Sequence, residues 1–93
     1  MVFLLECASV RPGLIDGELT VGVKNYKGHL EYFRAAGNAL TQQGQKGYVE
    51  VGAIHKDPKT ETYLVELPME ADSGAHRIWV PEGSIVIEAG AAA

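Results

Sequence analysis

Residues 48–88, YVEVGAIHKDPKTETYLVELPMEADSGAHRIWVPEGSIVIE, read as four short strands separated by tight turns. Tyr48 to His55 has strand character, and Lys56-Asp57-Pro58-Lys59 turns the chain. Thr60 to Leu67 follows, with Thr62, Leu64 and Glu66 opposing Tyr63, Val65 and Leu67. Pro68 ends that ladder because it has no backbone N–H to donate. The acidic loop Met69–Gly74 leads to a strand over His76–Val80, Pro81-Glu82-Gly83 makes a corner, and Ser84–Glu88 is the last strand. Strands this short and closely connected bury apolar faces only by curling into a small barrel or sandwich. The expected fold is all-β: a small antiparallel barrel or bent sandwich of five to seven strands.

Working back toward the start, residues 2–10 read as a first strand that stops at Arg11-Pro12-Gly13, and Asp16-Gly17 is a second turn signal. From Glu18 to Lys24 the chain alternates, with Leu19, Val21 and Val23 on one face, as a half-buried strand does. Asn25-Tyr26-Lys27-Gly28 forms a hairpin loop in which Gly28 supplies the left-handed position. The return segment, His29 to Ala35, fits a strand or an amphipathic helix. Gly37-Asn38 interrupts the helix, so the strand is favoured. Residues 36–47, AGNALTQQGQKG, are polar and glycine-rich. They are expected to form a long loop with at most one short helical turn near 38–43.

Ninety-three residues suit one domain, taken as 1–89 with a flexible tail over 90–93. The net charge of −4 is uneven. Residues 1–46 hold five basic against four acidic side chains, whereas residues 47–93 hold three basic against eight acidic. An acidic, strand-rich half repels phosphate backbones, which disfavours nucleic acid as a partner. Cys7 is the single cysteine, which leaves no internal disulfide framework. No stretch has the ~18–20 apolar residues of a membrane helix, and MVFLLECASV lacks the basic start of a secretory signal. A cytoplasmic protein with no membrane partner is expected.

The segment Trp79-Val80-Pro81-Glu82-Gly83-Ser84-Ile85 resembles the closing segment of SH3-like small β-barrels. There an apolar residue precedes a proline, a short 3₁₀ turn follows, and an aliphatic residue four positions after the proline opens the last strand. Val80, Pro81 and Ile85 occupy those places, and the resemblance spans roughly residues 48–88. It implies architecture only. Peptide-binding SH3 domains carry an aromatic residue where this chain has Ser84, and paired tryptophans where it has Tyr63-Leu64. A polyproline ligand, which needs an aromatic-lined groove, is therefore not implied.

The chemistry-bearing residues form no catalytic, metal or cofactor motif. Cys7 lies in an apolar strand and reads as a small hydrophobe. His29, His55 and His76 are spread over three hairpins without ligand spacing. Asp72, Ser73 and His76 are too close in sequence to be oriented as a triad, and Asp72-Ser73-Gly74 reads as a turn. Glu66, Glu70, Asp72 and Glu82 read as a solvated acidic surface. Trp79 carries more weight. Alternation places Arg77, Trp79 and Pro81 on one face if Ile78 and Val80 enter the core. The leading expectation is therefore a non-enzymatic interaction module that binds a protein partner or a second copy through Trp79, Arg77 and Tyr63. The alternative is a small nucleic-acid-binding barrel using Lys24, Tyr26, Lys27, Tyr32 and Arg34, where aromatics stack bases and cations neutralise phosphates.

Overall fold

The computed structural model describes residues 1–89. The tail expected over 90–93 lies outside the described residues. In chain order the strands are β1 (Val2–Glu6), β2 (Ser9–Pro12), β3 (Glu18–Lys24), β4 (Leu30–Ala36), β5 (Leu40–Gln43), β6 (Lys46–Asp57), β7 (Thr62–Glu66), β8 (Arg77–Pro81) and β9 (Ile85–Glu88). Two 3₁₀ turns, Gly37–Ala39 and Glu82–Ser84, precede β5 and β9. One sheet runs β8-β7-β6-β1-β9, with β5 also paired to β6; the other runs β2-β3-β4. Every pairing is antiparallel. The all-β class read from the sequence is therefore the class observed.

The strand count differs from the expected five to seven, for two physical reasons. The first apolar run divides at Cys7 and Ala8, where the chain passes between sheets. The Cys7 amide donates to the Gly47 carbonyl and the Ala8 amide to the Gly22 carbonyl, at 2.8 and 2.7 Å. The segment 36–47 is not a long loop: after one 3₁₀ turn, Leu40–Gln43 pairs with the start of β6. Gly44 makes that hairpin possible, since its φ of +65° is one that L side chains rarely adopt. Polar residues along β5 hide this strand from a hydrophobic-periodicity reading because Thr41, Gln42 and Gln43 are all exposed. The favoured strand at His29–Ala35 is present as β4.

Both sheets feed a shared apolar cluster. Leu5, Val21, Val23, Phe33, Val49, Val65 and Val80 are at most 1% exposed. Each such side chain contributes about 1.5–3 kcal/mol on burial. The long strand β6 organises the first sheet: its first half pairs with β1 and β5, and its second half pairs with β7. A bulge between Ala53 and His55 leaves Ile54 without a partner in β7 and re-phases the rest of the strand. Downstream, His55 lies opposite Leu64, Lys56 opposite Tyr63 and Asp57 opposite Thr62.

Candidate functional site

Strand β8 presents its side chains as alternation requires. Ile78 and Val80 are buried, whereas Trp79 is half-buried and Arg77 exposed on the opposite face. Across β7, Trp79 lies opposite Leu64 and Arg77 opposite Glu66, and the Arg77 Nε–Glu66 Oε1 pair closes at 3.1 Å. The bulge in β6 adds His55 to this face, with its ring edge-on to Trp79 at a centroid distance of 6.2 Å. Without that extra residue His55 would take the inward phase of Val49 and Val51.

The tip of the β3–β4 hairpin reaches the same place. Asn25 fixes the loop: its Oδ1 accepts from the Lys27 and His29 amides, both at 2.9 Å, and its own amide donates to the His29 carbonyl at 2.8 Å. Gly28 takes a φ of +82°, as the hairpin requires. Held this way, the Tyr26 amide donates to the Trp79 carbonyl at 2.8 Å. Tyr26, Asp57, Thr60, Thr62 and Trp79 then line an open cleft of about 160 Å³. Asp57 Oδ1 accepts from the Lys59 amide at 3.0 Å, and the Thr60 and Thr62 hydroxyls share a hydrogen bond at 2.7 Å. The Asp57 Oδ2 atom has no hydrogen-bond or ion-pair partner among the described residues.

Tyr63 is not on this face. It lies opposite Val80, is 9% exposed, and meets Phe3 edge-on at 5.8 Å, so it belongs to the core. The alternation of Tyr63 with Val65 and Leu67 carried that signal. Tyr26, expected on the basic hairpin face, lies beside Trp79, some fifty residues away, and no sequence feature links the two.

The rest of the hairpin group is differently engaged. Register places Lys24, Tyr32 and Arg34 on the outer face of β3–β4. The Arg34 guanidinium is held by both Asp72 oxygens, with contacts from 3.1 to 3.3 Å. Arg11 lies 5.8 Å from the Tyr32 ring centre, and Lys27 lies 5.7 Å from that of Tyr26. Arg34 is therefore already paired with a carboxylate, which lowers the positive field this face offers a phosphate backbone.

The remaining polar candidates are engaged separately. Ser73 Oγ donates to Glu31 Oε1 at 2.6 Å, and His76 Nε2 donates to the Leu67 carbonyl at 2.9 Å, so neither meets Asp72 as a triad would need. Glu82 pairs with Lys56 at 3.0 Å, Glu66 with Arg77 and Asp72 with Arg34, both at 3.1 Å, so each of these carboxylates has its own cation. Among the described residues no three His, Cys, Asp or Glu side chains converge as metal ligands do. Burial, reinforced by Glu6, pushes the Cys7 thiol up to about 11. No helix among the described residues is long and apolar enough to cross a membrane. Comparison with protein-family models, curated proteins and solved structures gives no match.

Proposed function

We propose that this protein is a non-enzymatic interaction module whose working surface is the outer face of β7–β8 around Trp79 and Arg77, extended by Tyr26. The observation that carries this reading is the placement of Trp79. It stands half-buried on the solvent side of its strand while its neighbours Ile78 and Val80 fill the core, and it shares an open cleft with Tyr26, which is 51% exposed. Trp, Tyr and Arg are the residue types that dominate binding energy where two protein surfaces meet. The partner is a protein, either another chain or a second copy.

An SH3-like architecture belongs to the same reading. Support comes from β8, the 3₁₀ turn at Glu82–Ser84 and β9 following one another through Val80, Pro81 and Ile85. Ser84 in place of an aromatic residue keeps polyproline peptides out of the proposal. So does the burial of Tyr63. A cytoplasmic setting belongs to the same proposal.

The test is the mass in solution by light scattering, with Trp79 emission followed over the same dilution series. A dimer whose emission shifts red on dissociation establishes self-association through this face. A monomer with constant emission assigns the surface to a different protein, sought by affinity capture with wild type and Trp79→Ala in parallel. Equal capture of the same proteins by both forms removes the proposal.

A further inference from the structure

The cleft beside Trp79 has a composition that selects a ligand. Two of its five lining residues are aromatic, two are hydroxylic, and the remaining one, Asp57, carries its only charge. Small-molecule pockets run to about 300–1,000 Å³. At about 160 Å³, open on one side, this cleft has room for the end of a single side chain rather than a whole metabolite. An aromatic face attracts a cation within about 6 Å of the ring centre, and a carboxylate beside it adds a charge-assisted hydrogen bond. The chain uses the same attraction internally, with Lys27 over Tyr26 and Lys56 over Tyr63 at 5.7 and 5.6 Å.

We propose that the Tyr26–Trp79–Asp57 cleft receives the cationic head of a basic side chain, arginine or lysine, from the bound protein. This rests on the interaction-module reading and names what the partner presents. Asp57 Oδ2 supplies the acceptor, since Oδ1 is already occupied by the Lys59 amide. Trp79 supplies the open aromatic face, since Lys27 already lies over the Tyr26 ring, which walls the cleft beside it together with the Thr60–Thr62 hydroxyls. Of the other acidic side chains in residues 47–93, Glu66, Asp72 and Glu82 already pair with Arg77, Arg34 and Lys56, so Asp57 is the charge that the cleft itself offers.

Trp79 is the only tryptophan, so its indole N–H gives one isolated signal in a nitrogen–proton correlation spectrum. The probe is the peptide acetyl-Gly-Arg-Gly-amide, with the citrulline peptide as its uncharged isostere. The arginine peptide is expected to shift the indole signal saturably, with a dissociation constant on the order of a millimolar. The citrulline peptide is expected to leave it in place. Asp57→Asn keeps the Oδ1 acceptor for the Lys59 amide, and hence the turn, while removing the charge. It should weaken binding about tenfold. Tyr26→Leu should also weaken it, with the amide bond to Trp79 retained. Equal shifts from both peptides, or unchanged binding in Asp57→Asn, overturn the assignment.

An indole signal unmoved at about ten times that concentration also overturns it. If Trp79→Ala still abolishes self-association or partner capture in that case, the broader face reading stands. If Trp79→Ala alters neither, the face reading itself is lost.

Discussion

The Tyr26 amide donates to the Trp79 carbonyl at 2.8 Å, and this bond fastens the β3–β4 hairpin of one sheet to the edge strand of the other. A loop amide beside a half-exposed side chain normally exchanges with solvent at close to the free-peptide rate. Here the Tyr26 amide is expected to be protected to the same degree as those of β8, because releasing it requires the hairpin to leave the strand. Amide hydrogen exchange followed by nuclear magnetic resonance checks this, and free-peptide exchange at Tyr26 would mean that the hairpin is not docked.

Asn25 governs the same contact from inside the loop. Replacing it with alanine removes the acceptor for the Lys27 and His29 amides, at a cost of about 1–2 kcal/mol. Asn25→Ala is expected to lower the urea midpoint and to speed exchange at Tyr26, whereas Asn25→Asp, which keeps Oδ1, should do neither to the same extent.

The buried contact between Ser9, Gly22 and Tyr32 gives a second stability prediction. A Cβ at residue 22 would come within 2.6 Å of Ser9 Oγ and 2.9 Å of the Tyr32 ring. Gly22→Ala should therefore destabilise by about 1–3 kcal/mol through overpacking. Ser9 Oγ is itself buried without a hydrogen-bond partner among the described residues. Ser9→Ala is expected to be neutral or stabilising by up to about 1 kcal/mol. Because Oγ is the nearest obstacle, the double variant should be less destabilised than Gly22→Ala alone, a coupling that denaturant melts can measure.

Cys7 makes a prediction about pH. Its thiol is pushed from an ordinary value of 9.0 up to about 11 by burial and then by Glu6. The folded state therefore prefers the neutral thiol more strongly than the unfolded chain does. Its contribution to stability is complete below pH 9 and is lost as the pH rises from 9 toward 11. Cys7→Ala should flatten that alkaline decline, as read from urea midpoints at pH 8, 9 and 10. At pH 8 native Cys7 should react with iodoacetamide about 100-fold more slowly than a free cysteine, since the thiolate is the nucleophile.

Arg34 and Asp72 join β4 to the loop between β7 and β8, with the Asp72 amide also donating to the Tyr32 carbonyl at 2.8 Å. The ion pair is bidentate but partly exposed, at 33% and 60% for the two side chains, so solvent screens it. A double-mutant cycle with alanine at both positions is expected to give a coupling of about 0.5–1 kcal/mol that shrinks in 1 M salt.

What could be read from the sequence was whatever depended on local alternation and on turn residues. The phase of Arg77, Ile78, Trp79 and Val80, the corner at Pro81 and the loop at Asn25–Gly28 all follow from short-range sterics. Three features follow from tertiary pairing and leave little local trace. β5 is polar because its side chains face solvent, and only its partner β6 makes it a strand. The bulge at Ile54 reverses the inward phase within one strand, so parity counted from Val49 misplaces His55. The meeting of Tyr26 with Trp79 joins segments some fifty residues apart in the chain. Tyr63 is different: its alternation with Val65 and Leu67 is legible in the sequence and marks it as core, against the surface role expected for it.

Strand β1 lies between β6 and β9, with Val2 opposite Glu88 and Leu5 opposite Ile85. The points where β1 starts and β9 stops are thus separated by little more than one inter-strand spacing, about 5 Å. A short linker joining them, with a new opening at the exposed Gly44-Gln45 turn, preserves every strand pairing. The unit is thereby suited to circular permutation and to insertion into a loop of a host protein, where its Trp79 face would be displayed with both connections leaving from one edge strand and its neighbour.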